Sequence, residues 1–359
     1  MCWLLNGSLY LTGTILTKIL LIMQALLRVF SLSIGLCAVF LPSWTFAEAS
    51  QVLSSAECKP IHTAEELANI GRESGFPLDG IYSLEKDLDL SQVVFESIGS
   101  EKKPFQGTFY GNGHSLMHLS VKSNRDYTGL FGLLGKRALI QDLVIQKGEV
   151  QGKAYTGLLA GCNQGTIKNC YAAGQVRGTN NVGGLVGING QGGQIDASQA
   201  IGEVKGRSYE VGGLVGCNLG YIVDSRSEAN VEGIRLVGGM VGTNDETGQI
   251  LHCIAFGRVS GKYWVGGLVG HNWFRGQIIH CMAKAIVIGE EYVGGLVGFN
   301  YAQACITKSS STSTVQGDQH VGMVVGGNRG MISYGLGIED KWSELTKKLT
   351  KPLINAKNK

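Results

Sequence analysis

Two dipeptides of metal-binding type, His252-Cys253 and His280-Cys281, lie 28 residues apart. Two imidazoles and two thiolates would suit zinc. In a strand, however, adjacent side chains point to opposite faces, so the four groups would not converge on one ion. No metal site is expected. A Cys253–Cys281 disulfide stays open, because neighbouring strands bring their Cα atoms to a bridgeable spacing. Cysteine also alternates with serine at one recurring position, in the order Cys170, Ser198, Ser225, Cys253, Cys281, Ser309. That exchange reads as a position wanting a small side chain. Carboxylates are scattered, from Asp196, Glu203 and Glu210 to Asp245 and Glu291, with Asp196 and Asp224 at nearby positions on successive repeats. Glycoside hydrolysis needs a matched pair, and no Arg, Lys or His cluster recurs beside these acids. No catalytic residue is assigned. A carbohydrate-active lyase or hydrolase is kept as one alternative, and a structural spacer or passenger of a surface assembly as another. The GGLVG segments are not followed by the helix N-terminus that a phosphate loop requires, so no cofactor is expected.

The aromatic residues give a sharper signal. At the opening position of each repeat the chain runs Asn181, Glu210, Leu236, Trp264, Tyr292, His320. Further on it runs Gly190, Leu219, Asp245, Trp273, Tyr301, Arg329. Trp264 with Tyr292, and Trp273 with Tyr301, should stack on adjacent repeats, beside His271, Phe274 and Phe299. Such ladders offer large apolar area at small entropic cost, which suits a sugar ring or a protein partner. Bulky residues that merely shield the repeats are the competing reading.

What positions these residues is a repeat. The segments YTGLLAGCN (155–163), NVGGLVGIN (181–189), EVGGLVGCN (210–218), LVGGMVGTN (236–244), WVGGLVGHN (264–272), YVGGLVGFN (292–300) and HVGMVVGGN (320–328) align directly. They close on Asn163, Asn189, Asn218, Asn244, Asn272, Asn300 and Asn328, at intervals of 26, 29, 26, 28, 28 and 28 residues. Three strand-sized blocks per repeat are too short to be helices. In register they give three aliphatic ladders: Leu159 to Val324 through Leu185 and Leu214, Ile167 to Ile332 through Ile195 and Ile222, and Val176 to Val315 through Val204 and Val231. One aliphatic from each of three sides, at every rung, predicts an all-β fold. It is a parallel three-sided β-solenoid (β-helix), right-handed by the crossover rule, of about eight ~28-residue coils with short helical caps. Coils spaced roughly 4.8 Å apart would stack to a length on the order of 40 Å. The Asn series is read as a structural ladder bridging the turns of adjacent coils.

Composition supports this reading. Of 54 Gly, 47 lie in 105–337, and no Pro lies between Pro104 and Pro352, as unbroken hydrogen-bond ladders require. The coils are therefore assigned to 105–337, with 48–104 as a capping segment. In that segment Thr63-Ala64-Glu65-Glu66 forms a capping box for a short helix presenting Leu67 and Ile70. Residues 82–91 and 104–116 should lead into the coils. Residues 338–359 hold six Lys against three acids, and Asp340 can cap a helix with Trp342, Leu345 and Leu349 on one face. The first 47 residues contain no acid and only two basic residues, Lys18 and Arg28. From Met23 the pattern is secretory: Arg28, an apolar run over 29–41, and Thr45-Phe46-Ala47 as the cleavage site. Residues 1–22 would be an upstream extension, and an uncleaved anchor over 19–41 is the rival. The protein is expected to be exported, touching a membrane only through this segment. The net charge of +3 arises mostly there and predicts no nucleic-acid surface.

The recurrent VGGLVGxN-x-G-x-I-x-x-C/S pattern, together with DLDLS, IGS, PFQGTFYGNGHSL and YTGLFG before it, resembles the GLUG-motif repeats of bacterial exported proteins. The resemblance covers roughly 61–337. It implies a secreted or surface-attached repeat protein of adhesin-like type, whose partner is a glycan or a surface protein. Some members are peptidases with a separate catalytic domain, but no H-E-x-x-H motif occurs in this chain.

Overall fold

A computed structural model describes residues 58–333. The candidate signal segment 1–47 and the basic tail 338–359, with its Asp340-capped helix, lie outside the described residues. The strands form four sheets of 11, 7, 8 and 11 members, and neighbours in each sheet come from successive coils. One coil shows the rule. Asn180–Gly183 makes the first face, Val186–Asn189 the second, Gln194–Asp196 the third and Gln199–Gly206 the fourth. The next coil repeats it with parallel register, Val186 opposite Val215, Ile195 opposite Ile222 and Val204 opposite Val231.

The parallel solenoid is as expected, but it has four strand stacks per coil, not three. VGGLVGxN, read as one block, is two strands in different sheets, broken at the Gly-Leu that follows its first Gly, as at Gly184-Leu185. The cause is the sharpness of that fold. A Cβ on Gly183 would stand 2.0 Å from the carbonyl oxygen of Val186, and one on Gly187 would stand 2.5 Å from the Thr156 nitrogen. Only glycine lets the two backbones approach this closely.

The aliphatic ladders fill the interior. From Leu159 to Leu296, Ile167 to Ile306 and Val150 to Val287 no member is more than 2% exposed. Each such side chain stabilises the fold by about 1.5–3 kcal/mol on burial. Val315, Val324 and Ile332, at the C-terminal end of the described coils, are only partly buried. Met323 and Met331, at 67% and 63% exposed, also lie there.

Stacked strands begin well before residue 105, with Cys58–Ile61 paired to Ile81–Leu84 and that strand to Thr108–Tyr110. Rings cluster in this lead-in, with Tyr82, Phe105 and Phe131 in succession at 6.4 and 5.0 Å between centroids. The helix α1 (Ala64–Ala68) starts at Thr63 with both halves of the capping box made, and Leu67 and Ile70 are buried. Among the described residues no helix is long and apolar enough to cross a membrane.

Candidate functional site

In every first-face strand one bulky residue adopts left-handed backbone. Tyr155, Asn181, Glu210, Leu236, Trp264, Tyr292 and His320 have φ between 50° and 62°. The conformation costs an L-residue roughly 1–2 kcal/mol. It also breaks the in–out alternation, and the flanking Val265 and Val293 stay fully buried while Trp264 and Tyr292 remain partly exposed.

Of these, Glu210, Leu236, Trp264 and Tyr292 form one wall of a groove of about 510 Å³, and Asp245, Trp273, Tyr301 and Arg329 form another. The floor is the variable position of VGxN, where Thr243, His271 and Phe299 lie in direct register. Trp264 and Tyr292 stack at 6.3 Å and 6° between planes, and Tyr292 continues onto His320 at 4.5 Å and 5°. Trp273 and Tyr301 stack at 4.1 Å and 24°. The structure thus brings together all four residues expected from the sequence. Phe299 joins them, whereas Phe274 lies outside the groove lining, exposed, with the Arg275 guanidinium 5.3 Å from its ring.

His271 is the hub. Its ring lies 4.8 Å from Trp273, 5.8 Å from Phe299, 6.0 Å from Tyr301 and 6.3 Å from Trp264. Burial among these rings lowers its pKa to about 4, so it is neutral at physiological pH. At one end of the groove stand Glu210 and Asp245. Burial pushes the Glu210 carboxyl up; the amide of Asn181 partly offsets this, and the charge of Asp245 adds to it. Burial also raises Asp245, partly offset by the Glu246 N–H at 2.8 Å. Arg329 is at the other end. Glu210, Asp245 and Arg329 stand in the repeat columns of the sequence, which do not by themselves reveal that they share one groove. Aligning the variable residue of VGxN as a third column would have placed His271 between the two aromatic pairs.

The scaffold under the groove rests on two polar ladders. The Asn side chains run as a continuous chain of amide hydrogen bonds, each Nδ2 donating to the next Oδ1, from Asn163 through Asn189, Asn218, Asn244, Asn272 and Asn300 to Asn328, at 2.8–2.9 Å. All but Asn328 are fully buried. The second ladder is the Cys/Ser position. Ser198 Oγ accepts the Cys170 N–H and donates to the Asp196 carbonyl; Cys253 N–H points at Cys281 Sγ, 3.5 Å away. The position therefore wants a small side chain that also hydrogen-bonds across the turn.

Cys253 and Cys281 are free thiols, fully buried, while the stacked rings of His252 and His280 (5.3 Å) are only half-buried. Among the described residues no group of three or more His, Cys, Asp or Glu is placed to hold a metal ion. Burial pushes the thiols of Cys162 and Cys170 up to about 12, and those of Cys217 and Cys253 well up. Since the thiolate is the reactive form, a maleimide at neutral pH should modify exposed Cys58 and half-buried Cys305 in the native protein. Cys170, Cys253 and Cys281 should react only after unfolding. Peptide mass mapping checks this, and native labelling of Cys253 would contradict it.

Residues 152–177 match the family described as the GLUG motif. The chain carries the GLUG motif. Its residues span one whole coil turn, from the corner before Ala154 through the fourth-face strand Tyr171–Gly178, and the later GLUG-like coils repeat it in register. Among curated proteins, 119 residues are 34% identical to halomucin of Haloquadratum walsbyi, covering 30% of this chain and 1% of that protein. Another 120 residues are 33% identical to a protein of Evansella cellulosilytica provisionally described as a Gly-rich membrane protein, covering 30% and 14%. The chain thus spans only a small part of these relatives. A crystal structure from Bacteroides ovatus, provisionally described as an immunoglobulin A1 protease, superposes with a TM-score of 0.53 over 82% of this chain and 88% of that one. At 21% identity, what is shared is the fold.

Proposed function

We propose that the GLUG coils display the aromatic groove as a non-enzymatic recognition surface for a glycan, on an exported protein of adhesin-like type. The observation that carries this reading is the pair of ring stacks, Trp264 on Tyr292 and Trp273 on Tyr301, lining one groove around a neutral imidazole. Flat apolar faces flanked by a few polar groups suit the faces and hydroxyls of sugar rings. Export is supported by the secretory pattern before residue 48 and by relatives named as a mucin and a membrane protein.

A glycan array tests the proposal. The parent protein should retain a defined set of saccharides, and Trp264→Ala/Trp273→Ala should bind them about ten-fold more weakly or worse, with an unchanged strand-type circular dichroism spectrum. Undiminished binding by the double variant would sink the groove as the site. One observation favours a second reading. Glu210 and Asp245, both with raised pKa, are residues of the type a hydrolase uses as acid and base. Release of oligosaccharides from a polysaccharide panel, abolished in Glu210→Gln, would favour that reading.

A further inference from the structure

A second depression, of about 270 Å³, opens at the corner where the fourth face of one coil passes into the first face of the next. None of its residues belongs to the aromatic groove. Lys153, Arg177 and Arg207 line it from three successive coils, with Asn124, Gln151 and Thr179 as neutral hydrogen-bonding groups. The corner is held in place by backbone bonds between coils. The Thr179 N–H donates to the Lys153 carbonyl at 2.6 Å, the Arg207 N–H to Gly178 at 3.1 Å and the Gly152 N–H to Arg177 at 2.9 Å.

The charge at this corner is uncompensated. Among the described residues Lys153 and Arg207 join no ion pair, and Arg177 meets only the neutral amide of Gln175, at 3.2 Å. The neighbouring acids are engaged elsewhere: Glu149 pairs with Lys122, Glu203 accepts from the Asn230 amide at 2.9 Å, Glu210 from the Asn181 amide, and Asp126 from the backbone N–H of Ala154 at 3.1 Å. Two flanking cations are neutralised instead, Lys122 by Glu149 at 3.6 Å and Lys205 by Glu232 at 2.8 Å. These pairs thin the positive charge around the depression, while Arg125, whose carbonyl accepts the Lys153 N–H at 3.3 Å, adds one exposed cation on the preceding coil. Like charges held together in this way attract an anion. A continuous polyanion such as a nucleic acid would need phosphate contacts repeated along its length. One group with several terminal oxygens fits better. Two guanidinium forks and one ammonium can each take an oxygen of a sulfate or phosphate ester.

We propose that the corner formed by Lys153, Arg177 and Arg207 is a binding site for a sulfate or phosphate monoester carried on a sugar. It is independent of the aromatic groove, and its volume of about 270 Å³ falls just below the ~300–1,000 Å³ of ordinary small-ligand pockets, as suits a single ester group.

Titration calorimetry at low ionic strength tests it, with glucose 6-sulfate, glucose 6-phosphate and glucose as probes. One or both esters should bind and glucose should not. Arg177→Gln/Arg207→Gln should lose about ten-fold or more in affinity, while Trp264→Ala/Trp273→Ala should bind the esters as the parent does. Both arginines are exposed, so the double variant should keep its circular dichroism spectrum. Stronger binding of the sulfate than of the phosphate ester would identify a sulfated source, and the reverse a phosphorylated one. Equal affinity in the arginine variant, equal affinity for glucose, or binding of neither ester would overturn the proposal. Failure of the aromatic groove on a glycan array would leave it standing.

Discussion

Asn244→Asp is expected to melt the central coils far below the temperature at which the parent protein unfolds. Asn244 is fully buried in the middle of the amide ladder. Its Nδ2 donates to Asn272 Oδ1 at 2.9 Å and to the Gly248 carbonyl at 3.0 Å, and its Oδ1 accepts from Asn218 Nδ2 at 2.8 Å. A carboxylate can still accept, but it has nothing to donate. The Asn272 and Gly248 oxygens, and the Gln277 carbonyl at 3.4 Å, would then face it, with no cation among its partners to compensate. Each lost bond to a buried group costs about 1–3 kcal/mol, and more when a charge is stranded, so a loss of about 4 kcal/mol or more is expected. Asn244→Ala removes the same donor without adding charge and should cost about 2–4 kcal/mol. Because each coil touches only its neighbours, the damage should be local. Hydrogen exchange should accelerate over 215–275 and much less around the Tyr82 and Phe105 cluster. An Asn244→Ala loss below about 1 kcal/mol would mean that the ladder contributes little.

Gly266→Ala should be at least as damaging, although it adds a single methyl group. The new Cβ would stand 1.9 Å from the Val269 carbonyl oxygen and 2.7 Å from the Gly298 nitrogen. Both are backbone atoms tied into sheets, so no side chain can rotate away. Equivalent clashes await at Gly238 and Gly294, 1.9 Å from the carbonyl oxygens of Val241 and Val297. Relief would require separating the first and second faces, and a loss above about 4 kcal/mol or failure to accumulate folded protein is expected. Gly192 supplies the comparison. Its φ is +80° and a methyl group added there would meet nothing within 4 Å, so Gly192→Ala should cost only about 1 kcal/mol of backbone strain. Urea unfolding of the two variants side by side measures the difference. Similar midpoints would refute the tight fold between the faces.

The same fold explains what the sequence did and did not disclose. The ladders of Leu185, Ile195 and Val204 were legible because parallel coils place equivalent residues one above another, so repetition in the chain is repetition in space. The stacking of Trp264 on Tyr292 followed from the same rule. The side count did not, because Gly-Gly in a strand-like block does not reveal whether glycine serves a bulge, a left-handed residue or a collision between backbones. Once VGGLVGxN is split at that point, Trp264 and His271 in the same coil become neighbours across the groove. A one-strand reading keeps them apart, which is why His271 looked like a bystander and Glu210 and Asp245 like scattered surface acids. The Cys/Ser position was legible as small, but its hydrogen bonds depend on how the turn aims the next coil's N–H.

The division between fixed and variable positions has an evolutionary consequence. Neighbouring coils meet through Val, Gly and Asn that are nearly the same in each, so a duplicated coil would find matching seams above and below. The first-face groove positions meet their neighbours through side chains that differ from coil to coil, holding Tyr, Asn, Glu, Leu, Trp or His in turn. Gene duplication can therefore lengthen the binding face one cell at a time, and point mutation can rewrite each cell's chemistry without disturbing the stack beneath it.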